Sequence, residues 1–157
     1  MKALSLAAVA IAAAAVVAAV AAAGPAKQGP RKGEVTVHVI EHATTDAVTD
    51  LTPSGDSAGD VLTFANELFD RTNAKHSGHD QGFCVRTVAG AAWECWWTAF
   101  LAGGQVTVEG PFYDTRNSRL AVTGGTGGYA NARGWMELRS RAGGTQFDFV
   151  YHLRLAT

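Results

Sequence analysis

The chain has 157 residues, near the usual size of one domain, and its 13 Lys and Arg against 14 Asp and Glu leave a formal charge of -1. That balance argues against a protein built around a phosphate backbone, so no nucleic-acid partner is expected. The 47% hydrophobic content is unevenly spread: residues 1–23 are apolar except Lys2 and Ser5, and the rest falls to roughly 40% while holding every Gly and every aromatic residue, a composition of β structure with many tight turns.

Met1-Lys2, an Ala/Val/Leu run and the small-residue end Ala21-Ala22-Ala23 before Gly24-Pro25 are the three parts of a secretory signal peptide over 1–23. The expectation is cleavage, a secreted protein, and no stable membrane insertion afterwards. An uncleaved anchor is the competing reading, since the run approaches the ~20 residues that span a bilayer. Residues 24–33, GPAKQGPRKG, are polar and aperiodic and read as a disordered tether.

The domain is placed at 34–157. Apolar residues there recur at period two in eight runs, 34–42, 60–69, 81–88, 92–102, 104–110, 118–124, 132–139 and 146–155. Short links such as Ala89-Gly90 and Gly103-Gly104 favour antiparallel neighbours, and the long link from His42 to Gly59 is expected as a surface loop. The fold class is all-β: eight antiparallel strands must close into a barrel or stack as a sandwich to hide their edges. Eight strands also make a barrel whose interior holds side chains or one small ligand.

Strand parity gives the runs an inside. Leu62, Phe64, Asn66 and Leu68 share one face, which sets an amide on an apolar stripe. Val35, Val37, Val39 and Glu41 likewise put a carboxylate at the end of a stripe, and Phe147, Phe149, Tyr151 and Leu153 point inward together. Few polar groups among aromatics suit a pocket for a small hydrophobic molecule. Trp93 and Trp97 fall on one face of their run and Trp96 on the other, where an interface between copies is expected. Arg86 shares the face of Cys84 and is read as a rim or salt-bridge residue.

Cys84 and Cys95 are the only cysteines. A two-residue turn at Ala89-Gly90 would set them opposite each other, at a Cα separation of about 4.5 to 5.5 Å that a disulfide can bridge. A free Cys84 in the pocket is the alternative. Two cysteines without a second close pair do not make a zinc site, and Gly124 to Gly128 lacks phosphate-loop spacing, so no metal or cofactor is expected. His76-Ser77-Gly78-His79 reads as a loop.

Gly59-Asp60, Phe64-Ala65-Asn66, Gly82-Phe83-Cys84-Val85, Gly110-Pro111-Phe112, Gly124-Gly125-Thr126-Gly127 and Ala132-Arg133-Gly134, in that order, resemble the allene oxide cyclase and dirigent superfamily. The resemblance implies an eight-stranded antiparallel barrel, a trimer as homo-oligomer, and a hydrophobic pocket at the barrel mouth. It implies catalytic roles for Asn66, which would hold a water, and Glu41, and pocket roles for Phe64, Cys84, Trp93, Phe112 and Tyr151. Phe112 stands where the family has Tyr, Glu41 falls at the family's first-strand Asn, and the family's Ser-Pro has no match between Thr44 and Thr52. The implied function is steering the cyclisation or coupling of a bound molecule, as an isomerase or a dirigent-type guide. A non-catalytic ligand-binding or structural barrel is the alternative.

Overall fold

Period-two runs become strands where one face can be buried, and here the buried faces close on one another. The structure, a computed structural model, describes residues 33–155. The expected leader and all of the tether but Gly33 lie outside the described residues. Ten strands follow in order: β1 (Glu34–His42), β2 (Ala47–Thr49), β3 (Val61–Phe64), β4 (Glu67–Asp70), β5 (His76–Val88), β6 (Ala92–Leu101), β7 (Gly104–Tyr113), β8 (Ser118–Gly125), β9 (Arg133–Arg141) and β10 (Gln146–Arg154).

Every pairing is antiparallel, in the order β2-β3-β5-β4-β1-β10-β9-β8-β7-β6, and β5 pairs with β6 to close the barrel. Eight staves result, because β3 and β4 are one stave against β5. Phe64 faces Gly82 and Glu67 faces His79, so the register runs unchanged through the break at Ala65-Asn66. The expected run 60–69 is thus one stave interrupted by a local kink. β2 is an extra edge strand on β3, built from the loop that precedes it.

The β5–β6 hairpin corrects one detail and keeps another. Val88 pairs with Ala92, so three residues, not two, make the turn, and a register shift between Arg86 and Val88 offsets the extra residue. Beyond that shift Cys84 still faces Cys95. β5 also starts five residues earlier than expected, placing His76 and His79 on a strand rather than in a loop, where His79 stacks on Phe100.

Tyr151, Phe149, Leu68, Met136 and Leu153 are fully buried inside the barrel. Each such side chain contributes about 1.5–3 kcal/mol on transfer from water, which is why parity decides the fold. Gly82 permits the close passage of β5 and β6: a Cβ there would lie 2.3 Å from both the Trp96 carbonyl oxygen and Trp97 Cβ. Trp97 therefore leans inward over the barrel axis, against Phe64 and Phe149.

Candidate functional site

One end of the barrel is where β1 finishes, β10 starts and the loop from Ala43 to Asp60 crosses over. Inward residues from these elements leave a slot whose enclosed part is about 40 Å³, within a void of about 350 Å³ that opens at the rim. Phe64, Trp97, Phe112, Phe147 and Phe149 supply aromatic walls, Leu62, Leu138, Cys84 and Cys95 fill between them, and Glu41 and Asp46 are the charged lining residues. Asp46, Phe112, Leu138 and Phe147 also border an outer basin of about 520 Å³, with Tyr113, Asp114, Arg116 and Ser140 at its edge. The enclosed part is far below the ~300–1,000 Å³ of common ligand pockets.

Glu41 ends the inward stripe of β1 and is 5% exposed. Asn66 Nδ2 donates to Glu41 Oε1 at 2.9 Å and to Asp46 Oδ1 at 2.8 Å. Asn66 Oδ1 accepts from the backbone N–H of Thr44 and of Thr45, each at 3.0 Å, and from the Thr45 hydroxyl at 2.9 Å. All of the amide's hydrogen-bonding capacity is thereby used. Asp80 is fully buried and exchanges both backbone hydrogen bonds with Asn66, at 3.1 and 2.9 Å.

Asp80 Oδ2 has no donor group within reach, and its side chain is a hydrogen-bond partner of Glu41. Two carboxyls bond only when one of them carries a proton. Burial pushes Asp80 well above the usual carboxylate range, with the Glu41 charge adding to it. Burial also raises Glu41, to about 7; the Asn66 hydrogen bond lowers it and the Asp46 charge raises it. Both carboxyls are therefore held towards their protonated forms, and the pair shares a proton near neutral pH. Among the described residues, no group of three or more His, Cys, Asp or Glu is arranged to hold a metal ion.

Solved structures share this architecture. A pyocyanin demethylase is 25% identical, with a TM-score of 0.65 over 74% of this chain and 100% of that one. A pterocarpan synthase dirigent protein is 14% identical, with a TM-score of 0.66 over 82% of this chain and 99% of that one. A Diels-Alderase from Streptomyces koyangensis is 16% identical, with a TM-score of 0.66 over 80% of this chain and 65% of that one. The chain shares the barrel fold of these proteins. No protein-family model matches it.

Within this dirigent-like barrel the expected site residues divide. Glu41, Phe64, Cys84 and Phe112 line the slot. Asn66 is not among the lining residues: its amide joins Glu41 and Asp46 to the Thr44 and Thr45 backbone. Tyr151 lies deeper in the core, fully buried, and does not reach the slot wall; burial, with the nearby Asp80 charge adding, pushes its hydroxyl well above the usual range. Trp93 is also buried behind the wall, where the Arg86 guanidinium stacks 3.9 Å from its ring centroid. Cys84 and Cys95 are joined in a disulfide, and neither is free.

Arg86 is a structural clamp at this mouth of the dirigent-like barrel. It bonds both Asp114 oxygens, at 2.9 and 2.7 Å, and ion-pairs with Asp56 at 2.6 Å while only 9% exposed. Asp56 belongs to the crossing loop and Asp114 to the β7–β8 turn, so one guanidinium ties both to β5. Sequence reasoning missed Asp80 and Asp46. Asp80 had a signal, since the inward parity of Gly82, Cys84 and Arg86 reaches it when β5 is extended two residues; Asp46 sits in a loop, where period two carries no information.

Proposed function

We propose that this barrel binds a small, largely apolar molecule at the slot and basin and steers its cyclisation or coupling. The observation that carries the reading is an aromatic-walled slot lined by the buried carboxyl of Glu41, which Asn66 holds at 2.9 Å and Asp80 backs. Solved structures titled as dirigent proteins, an exo-specific intermolecular Diels-Alderase and a [4 + 2] cyclase have the same fold and support it.

The chemistry follows from geometry and charge. Walls that leave a narrow slot restrict a flexible ligand to few conformers, so ordering is met at binding rather than at the barrier. Glu41, raised to about 7, is matched to proton transfer near neutral pH and faces the slot, with the Asp80 carboxyl behind it. Asn66 fixes the Glu41 carboxylate through Oε1. Positive charge developing on a reacting carbon would be met by the ring faces and by Glu41.

Export and self-association belong to the same proposal. The leader pattern and a disulfide, which persists in oxidising compartments, support export. The stacked, exposed pair Phe83 and Trp96 on the outer face of β5 and β6 supports a contact between copies, for which the resemblance suggests a trimer; Trp96→Glu should lower the native mass if so.

The functional test is product analysis of terpenoid epoxides, tethered dienes and phenoxy-radical precursors with wild type, with Glu41→Gln and without protein. A product ratio shifted by wild type and restored towards the protein-free ratio by Glu41→Gln is expected. Identical ratios in all three arms would leave a barrel that binds without chemistry.

A further inference from the structure

The slot's charges are of one sign. Glu41 and Asp46 line it, Asp80 stands behind Glu41, and no Arg, Lys or His is among its lining residues. The other groups around Glu41 do not reverse this: Asn66 is a neutral donor, Tyr151 a buried phenol, and the strand neighbours facing Glu41 are Leu68 and Phe147. At the mouth, Arg86 is occupied by Asp56 and Asp114. Arg116, the cationic residue lining the basin, is held over the Tyr113 ring at 3.7 Å. The floor is thus negative, and the mouth's cations are matched by Asp46, Asp56 and Asp114.

Aromatic faces surround that negative floor. Phe64, Trp97, Phe112 and Phe147 converge on an enclosed space of about 40 Å³. So small a space admits one end of a ligand and not its whole body. Ring faces attract a cation through their quadrupole, and do so most strongly away from water. Asp80, fully buried behind Glu41, adds a second carboxyl to the floor.

We infer that the ligand is an organic cation, an N-alkylated or protonated nitrogen compound whose charged end enters the slot towards Glu41 and Asp46 while its apolar body lies in the basin. This rests on the slot being the ligand site, as proposed above, and narrows the class of molecule. Cation binding favours the ionised Glu41 carboxylate, so affinity rises with pH as Glu41 gives up its proton around 7. A neutral ligand of equal shape lacks that dependence.

The test uses N-methylquinolinium, whose charge is permanent, and quinoline, which is neutral at about pH 8, both titrated calorimetrically into the whole protein. The cation should bind at least about tenfold more tightly at pH 8, and its affinity should fall several-fold at about pH 6. Glu41→Gln should remove most of the preference. Asp46→Asn, at the solvent side, should reduce it as well, and serves if Glu41→Gln folds poorly. Equal or tighter binding of quinoline overturns the cation inference and leaves the slot as ligand site. Binding of neither probe overturns both.

Discussion

Glu41 on β1 and Asp80 on β5 are hydrogen-bond partners although β4 separates their strands. The contact is made through the barrel interior, and burial raises both groups. The folded protein consequently holds protons that the unfolded chain releases. Stability from Glu41 is fully present below about pH 4.5 and is lost as pH rises through about 7, by on the order of 3 kcal/mol. Asp60 and Asp70 act oppositely: backbone N–H donors of Leu51 and Ser57, and the Thr72 hydroxyl, hold them low, so their contribution disappears as pH falls below the usual carboxylate range. Thermal melting should therefore peak at mildly acidic pH and decline towards pH 8. Glu41→Gln should flatten the decline; an unchanged slope would separate Glu41 from it.

Asn66 serves that pair by position. Its Nδ2 reaches Glu41 and Asp46, and its Oδ1 holds the N–H groups of Thr44 and Thr45 at the start of the crossing loop. Asn66→Ala removes every one of these bonds and should cost about 2–4 kcal/mol in chemical denaturation. Asn66→Asp keeps the shape but turns a donor into an oxygen facing two carboxylates. It should move the Glu41 titration further upward, read by NMR of the carboxyl carbon. A downward or unchanged Glu41 titration in Asn66→Asp would contradict the positioning role.

The barrel was legible because its determinants are local and repetitive. Parity alone turned Asn66, Glu41, Phe149 and Tyr151 inward, since a half-buried strand tolerates no other alternation. The site was less legible, for three different reasons. Asp80 lies in the polar stretch His76-Ser77-Gly78-His79-Asp80, which has no apolar rhythm, yet it is held in β5 by backbone bonds to Asn66. Trp93 and Tyr151 have the inward parity of pocket residues but sit behind the slot wall, and parity fixes a face without fixing depth along the barrel. Asn66 shows a third limit: the sequence places the amide inside and says nothing of the Thr44 and Thr45 groups that saturate it.

Arg86 should govern the crossing loop. Its guanidinium holds Asp56 and Asp114 and lies on Trp93, and its backbone N–H bonds the Asp60 carbonyl at 2.8 Å. Arg86→Ala leaves the backbone bond and removes the rest. The expected loss is about 2–3 kcal/mol, with faster amide exchange at Leu51 and Ser57, whose N–H groups bond Asp60. Arg86→Lys keeps the charge but not the paired bonds to Asp114, and should recover less than half. Exchange at Leu51 and Ser57 matching wild type in Arg86→Ala would show that the loop is held without the clamp.

The disulfide joins β5 to β6 at the slot wall, with Cα atoms 4.0 Å apart and the cysteines 11 positions apart in sequence. For so short a loop the chain-entropy model assigns about 3 kcal/mol at most, because a hairpin already brings its ends together. Reduction should add the mass of two hydrogens and lower stability by that amount or less. Cys84→Ala with Cys95→Ala should behave alike, with one difference at the site. Both sulfurs line the slot, so the double variant widens it and should bind N-methylquinolinium with altered affinity, whereas a bond acting only on stability would leave binding at wild-type strength.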